Sequence, residues 1–189
     1  KVTGSKTEIN RPLAKELEVY WELKENGHKE QAKALTAFTI KNNSSKSLKQ
    51  GWELYFHQPR TIVPKSYGEN IEITHINGDY FKMQPTDKFV ALKTGETISL
   101  EFLNEAWFLK QVDAPSGVYM VFKDSLGVES PPELLENITV LPIAKGDEIA
   151  IDGVSFLRVS TAKDLFTANS KNKVSAKSQL CPITPTPIK

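Results

Sequence analysis

The most constraining feature of this sequence is an Asn-Gly pair placed between two segments in which apolar and polar residues alternate. Residues 70–84 read Asn-Ile-Glu-Ile-Thr-His-Ile-Asn-Gly-Asp-Tyr-Phe-Lys-Met-Gln. Asn and Gly tolerate the positive φ angles of a type I′ turn, which matches the twist of two antiparallel strands. We therefore predict a β-hairpin with Asn77 and Gly78 as its two-residue turn.

The same period of two recurs along the chain, whereas helical periodicity is weak. Turn signals return about every ten residues, which is typical of an antiparallel sandwich of two sheets. The predicted fold class is all-β, a two-sheet antiparallel β-sandwich whose core includes Trp52, Leu54, Phe56, Ile98, Leu100 and Phe102. The further predicted strands are 17–24, 31–40, 52–57, 97–103, 106–112 and 118–123, with 138–144 and 148–159 as additional short candidates and Pro115, Ser116 and Gly117 as a turn.

Composition divides the chain into three parts. Residues 1–16 are polar and are predicted to be a flexible leader, and Lys1 in place of a methionine indicates a processed or engineered start. Residues 17–159 carry the strand signals. Residues 160–189 are first rich in Lys, Ser, Ala and Asn, then alternate proline with β-branched residues, so we expect an extended linker.

The sequence contains no group of residues with the types and spacing of a catalytic motif, and we expect no cofactor and no metal. The three histidines lack the spacing of a zinc motif, and Cys181 is the single cysteine, so no disulfide within the chain is possible. A net charge of +1 gives no reason to expect nucleic acid or an anionic membrane as a partner. No apolar run approaches the roughly 18 residues of a membrane-spanning helix.

Aromatic side chains are the best candidates for a binding site, because a flat ring can stack on the apolar C–H face of a sugar. Strand parity places Trp21 and Trp52 with the core residues. It places Tyr55 and His57 on the outward face of the strand that contains Trp52. The candidate carbohydrate-binding residues are Tyr55, His57, Tyr20, Tyr80 and Trp107.

An ordered set of motifs carries a resemblance to a known family. The motifs are Trp21-Glu22-Leu23, Gly51-Trp52-Glu53-Leu54-Tyr55-Phe56, Thr74-His75-Ile76-Asn77-Gly78-Asp79, Gly95-Glu96, Ala106-Trp107 and Asp113-Ala114-Pro115-Ser116-Gly117-Val118-Tyr119. Over residues 17–144 the chain resembles the N-terminal carbohydrate-binding domain of bacterial chitobiases and β-N-acetylhexosaminidases, glycoside hydrolases of family 20. The residues after 160 resemble the linker and the start of the next domain of such enzymes.

The resemblance implies a sandwich similar to bacterial cellulose-binding modules, in a protein exported to the periplasm or associated with the outer membrane. The family's catalytic Asp-Glu pair belongs to a later barrel, and nothing here matches it. Two hypotheses remain: a non-catalytic accessory domain that binds chitin-like, N-acetylglucosamine-containing glycans, or a structural module that packs against the downstream domains of the same polypeptide. Exposed aromatic rings favour the first, and buried rings favour the second.

Overall fold

In the part of the chain that the structure describes, the protein is all-β and has eleven strands. The computed structural model describes residues 10–141, 143, 148–151 and 154–157. The strands are β1 (Leu17–Asn26), β2 (Ala34–Asn42), β3 (Trp52–His57), β4 (Ile71–Asn77), β5 (Tyr80–Pro85), β6 (Thr97–Asn104), β7 (Ser116–Phe122), β8 (Glu133–Leu134), β9 (Asn137–Val140), β10 (Glu148–Ile151) and β11 (Val154–Leu157). Over these residues, helical structure is limited to 3₁₀ turns at Ala14–Glu16, His28–Glu30 and Gln111–Asp113, and no helix could span a membrane.

The strands form the predicted sandwich of two sheets. One sheet has the order β6-β2-β1-β9 and the other has the order β4-β5-β3-β7-β8, while β10 and β11 pair as a separate hairpin. Neighbouring strands run antiparallel, with one exception, since β9 lies parallel to β1 and places Glu18 opposite Asn137. The predicted fold class is thus confirmed, with a parallel strand added at one edge.

Alternation along the strands fills the space between the sheets. In β1, Leu17, Val19, Trp21 and Leu23 are buried, and the residues between them are half-exposed. Of the six predicted core residues, all but Ile98 are at most 2% exposed, and Ile98 is half-buried against the same core. Phe38 and Phe56 join the two sheets directly, with ring centroids 4.9 Å apart.

The predicted hairpin between β4 and β5 is present, but its turn lies one residue later than the sequence suggested. Asn77 pairs with Tyr80 as the end of β4, so the two turn residues are Gly78 and Asp79. A β-bulge between His75 and Asn77 shifts the register. Among the turn residues only Gly78 has a positive φ, of +50°, whereas a type I′ turn needs a positive φ at both central positions.

Residues 106–112, predicted as a strand, form a loop that ends in a 3₁₀ turn. The reason is a pair of side chains that satisfy the backbone without a neighbouring strand. The Asn26 amide donates to the Phe108 carbonyl at 2.8 Å and accepts from the Phe108 N–H at 3.0 Å. The Asp113 carboxylate accepts from the N–H groups of Leu109 and Lys110.

Ser116 and Gly117, predicted in a turn, are the first residues of β7.

The predicted leader and linker lie partly or wholly outside the described residues. Of the leader, residues 10–16 are described, and there Arg11 pairs with Glu133 of β8 while Ala14 is 1% exposed. The linker 160–189 with Cys181, and residues 1–9, fall outside the described part of the chain. The division at 159 therefore stays a prediction.

Candidate functional site

Four aromatic rings form a continuous stack on the outer face of the five-stranded sheet. Tyr55 and His57 come from β3, Tyr80 from β5 and Tyr119 from β7. The register explains why they meet, since Tyr55 lies opposite Tyr119 and His57 lies opposite Tyr80. We call His57, Tyr80, Tyr55 and Tyr119 the tyrosine stack.

The rings of the tyrosine stack face one another rather than lying flat on the sheet. The centroid separations are 4.6 Å for His57 and Tyr80, 5.7 Å for Tyr80 and Tyr55, and 5.0 Å for Tyr55 and Tyr119. Tyr55 and Tyr119 are parallel within 6°. Two rings lying side by side in one plane could not come as close as 5.0 Å between centroids, so Tyr55 and Tyr119 are offset-stacked. Because β5 and β7 flank β3, Tyr80 and Tyr119 both reach the Tyr55 ring, one from each neighbouring strand.

The hydroxyl groups of the stack are also partnered within it. The Tyr80 and Tyr119 hydroxyls form a hydrogen bond with each other. Burial and this hydrogen bond raise the pKa of Tyr80 to about 12. Burial and a 2.9 Å hydrogen bond to Glu53 raise the pKa of the Tyr55 hydroxyl above its ordinary value. Both hydroxyls are therefore neutral donors and acceptors at physiological pH.

A buried carboxylate anchors the stack at Tyr55. The Glu53 side chain is only 3% exposed although it points away from the core, and it accepts hydrogen bonds from Lys82 and Lys123, each at 2.8 Å. Burial favours the neutral acid, but the bonds from Lys123, Lys82 and Tyr55 outweigh it, so the pKa of Glu53 lies below its ordinary value. Glu53 is thus an ionised acceptor that fixes Tyr55 through its hydroxyl.

A glycine makes room for His57, the ring at one end of the stack. Gly117 has a φ of +59°, and a Cβ there would lie 3.2 Å from the Cδ2 atom of His57. The chain bulges between Tyr55 and His57 where they pair with β7. On its edge, His57 Nδ1 lies 3.1 Å from the Asp79 carboxylate, which lowers the pKa of Asp79.

The structure brings together three of the five candidate residues and leaves two elsewhere. Tyr55, His57 and Tyr80 belong to the stack. Tyr20 lies on the outer face of the other sheet, opposite Thr39 of β2. Trp107 follows β6, and its ring packs beside Gly27 in the loop after β1. Tyr119 was not among the candidates, although its parity in the predicted strand 118–123, opposite to Val118 and Met120, was a usable signal.

The other titratable groups show local structural contacts. His75 Nε2 donates to the Gly78 carbonyl at 2.8 Å. His28 lies 2.6 Å from the Glu25 carboxylate. Within the described residues, no group of three His, Cys, Asp or Glu side chains is placed to hold a metal ion.

Comparisons with known proteins identify one family. A family model described as "Putative carbohydrate binding domain" matches residues 17–173. N,N′-diacetylchitobiase of Vibrio harveyi is 32% identical over 82 residues, and β-hexosaminidase of Vibrio vulnificus is 38% identical over 84 residues. Each alignment covers 43% of this chain and only 9% of the relative.

A solved structure shares the fold. It is an inactive mutant of the GH20 exo-β-N-acetylglucosaminidase of Vibrio harveyi, with a TM-score of 0.53 and 20% identity. The likeness covers 72% of this chain and 20% of that one. The resemblance found in the sequence is thereby confirmed, and the matched family is one of binding domains rather than catalytic domains.

Proposed function

Because the chain belongs to the family of carbohydrate-binding domains matched by residues 17–173, we propose that it binds glycans containing N-acetylglucosamine. In this proposal it is the non-catalytic N-terminal domain of a β-N-acetylhexosaminidase, and residues 160–189 lead into the next domain. The names of the two Vibrio relatives, a chitobiase and a hexosaminidase, support the choice of glycan. We also infer export from the bacterial cytoplasm, as the family resemblance implies.

The tyrosine stack is the observation that carries this proposal. It groups three phenol rings and an imidazole in mutual contact on the outer face of a sheet, and the Tyr55 and Tyr80 hydroxyls remain neutral. Ring edges and hydroxyl groups suit the mixed apolar and polar surface of a sugar. Since Tyr55 already stacks on Tyr80 and Tyr119 and its hydroxyl donates to Glu53, Tyr80, Tyr119 and His57 make the contact in this proposal, and Tyr55 supports them.

The same geometry favours a second candidate, a structural module that binds no sugar. Rings that stack on each other and hydroxyls that pair with each other have their best interactions already satisfied. In that case the stack would be covered by a downstream domain of the same polypeptide. The two candidates differ in whether a free glycan moves the resonances of this face.

Chitin oligosaccharides are expected to bind the tyrosine stack with a dissociation constant near millimolar, about −4 kcal/mol. A few ring contacts must also offset the entropy of association, which keeps the affinity low. NMR titration should shift the amide signals around His57, Tyr80 and Tyr119. Tyr80→Ala should abolish the shifts, because Tyr80 contacts both neighbouring rings.

Tyr20→Ala is the matched control, since it removes the same side chain from the opposite sheet. It should leave the titration unchanged. If millimolar oligosaccharide moves no signal of the stack in the parent protein, the stack is not the binding site. If it moves no signal of the protein at all, the binding candidate is wrong and the structural module is favoured.

This chain is expected not to hydrolyse chromogenic N-acetylglucosaminides, because the family's Asp-Glu pair lies in a barrel that residues 1–189 do not match. The measurement is release of the chromophore by highly purified protein. Turnover that a point substitution within this chain abolishes would contradict the expectation and reassign the domain as an enzyme.

A further inference from the structure

A concave surface lies at one end of the sandwich, away from the tyrosine stack. It has a volume of about 640 Å³ and lies between residues 10–11, residues 47–51 and the loop 122–130. We call it the loop-end cleft. Its volume lies within the roughly 300–1,000 Å³ of small-molecule sites.

The cleft combines an apolar floor with a polar rim. Leu48 and Phe122 form the floor and are 1% and 3% exposed, and Val128 adds an exposed apolar side chain. Lys49, Gln50 and Ser125 lie at the rim. The amide of Gln50 is held in place, because its Nε2 donates to the carbonyls of Thr86 and Asp87, each at 3.1 Å.

Most of the charge at the cleft is compensated within the protein. Lys123 lies 2.8 Å from Glu53 and 3.4 Å from Glu129. Arg11 pairs with Glu133, and its guanidinium lies 3.8 Å from the centre of the Phe122 ring. A site of paired charges gives a small ion little net attraction, whereas fixed polar groups around an apolar floor suit a neutral ligand with many hydroxyls.

The loop that forms one wall is rigidly built. The Asp124 carboxylate accepts from the N–H groups of Leu126 and Val128, at 2.9 and 2.8 Å. Lys123 and Glu129 form a β-bridge at the base of the same loop. A pre-formed wall reduces the entropy cost of holding a ligand.

We infer that the loop-end cleft binds a short neutral oligosaccharide, as a second site in addition to the tyrosine stack. The inference rests on the proposed function and adds a second place on the protein where the same class of ligand binds. Lys123 links the two sites, because it lines the cleft and also donates to Glu53, which holds the Tyr55 hydroxyl.

The test is an NMR titration of the whole chain with tri-N-acetylchitotriose. The amide signals of Gly51, Ser125 and Gly127 should shift with increasing ligand. Ser125→Trp should weaken binding at the cleft at least about tenfold. The indole would occupy the space of the ligand, and the ligand would lose most of its van der Waals contacts with the cleft. Ser125 is exposed, so the larger side chain leaves the core intact.

Ser99→Trp is the matched control, since Ser99 is an exposed residue of β6 on the other sheet, and it should leave all shifts unchanged. A second variant, Lys49→Ala, removes a rim side chain without adding bulk and should also weaken cleft binding. Thermal melting checks that each variant is folded.

The outcomes separate this inference from the proposed function. Shifts confined to the tyrosine stack would overturn the inference about the cleft and leave the proposed function standing. Shifts confined to the cleft, lost in Ser125→Trp, would support the inference and relocate the site. Shifts at neither place would overturn both, and cleft shifts that persist in folded Ser125→Trp would overturn the inference alone.

Discussion

Replacing Trp52 with alanine is expected to lower the free energy of unfolding by about 3–5 kcal/mol, because the cavity left by a large buried ring is only partly refilled. Trp52 is fully buried, and its ring meets Phe89 edge-on with centroids 5.5 Å apart. Its indole Nε1 has no hydrogen-bond partner within the described structure, so the loss is one of packing. Denaturant unfolding measures it.

Two variants make this result specific. Trp52→Phe keeps a ring at the same place and should lose less than Trp52→Ala. Trp107→Ala removes a tryptophan that is only half-buried and should also cost less. A Trp52→Ala protein that unfolds at the same denaturant concentration as the parent would show that Trp52 is not in the core.

Replacing Glu53 with glutamine should lower the free energy of unfolding by about 2–3 kcal/mol at neutral pH, since hydrogen bonds to a charged group contribute about 1.5–3 kcal/mol. The substitution keeps the size of the side chain and removes the charge that Lys82 and Lys123 share. The lysines are 21% and 34% exposed and remain partly hydrated, which limits the loss.

The pH dependence gives an independent check on Glu53. Its pKa in the folded protein is held below the ordinary value of 4.5, so the carboxylate binds fewer protons folded than unfolded. Its stabilisation is therefore fully present above pH 4.5 and is lost as the pH falls through the folded pKa. The difference between the parent and Glu53→Gln should shrink over that interval.

Glu101→Gln is the control for this experiment. Glu101 also pairs with a lysine, Lys24, at 2.8 Å, but its side chain is 49% exposed. An exposed pair of this kind contributes about 1 kcal/mol or less. Equal losses for Glu53→Gln and Glu101→Gln would mean that the Glu53 carboxylate is not the anchor described here.

Local alternation predicted much of the fold and three of the four residues of the tyrosine stack. The parity of Trp52, Leu54 and Phe56 against Tyr55 and His57 is a property of one strand, so the sequence alone predicts which side each residue faces. The register between strands is not local. Bulges at β4 and between β3 and β7 set it, and they decide which turn residues and which tyrosines meet.

Residues whose surroundings come from several strands were the ones that the sequence could not resolve. Glu53 has the parity of an outward residue, yet it is buried because Lys82 of β5 and Lys123 after β7 close over it. Phe108 was predicted in a strand, but its N–H and carbonyl both form hydrogen bonds with the side chain of Asn26, which is distant in sequence. Neither partner lies near enough in sequence to leave a pattern.

The parallel pairing of β9 with β1 has a consequence for how the protein is made. The first strand of the sandwich pairs with β2 on one side, but its other edge stays unpaired until residues 137–140 have been synthesised. During synthesis the nascent chain therefore carries an open strand edge until nearly the whole sandwich has left the ribosome. Such an edge invites pairing with other chains. A product interrupted before residue 137 would keep it open, so premature termination is expected to yield aggregates rather than a smaller folded domain.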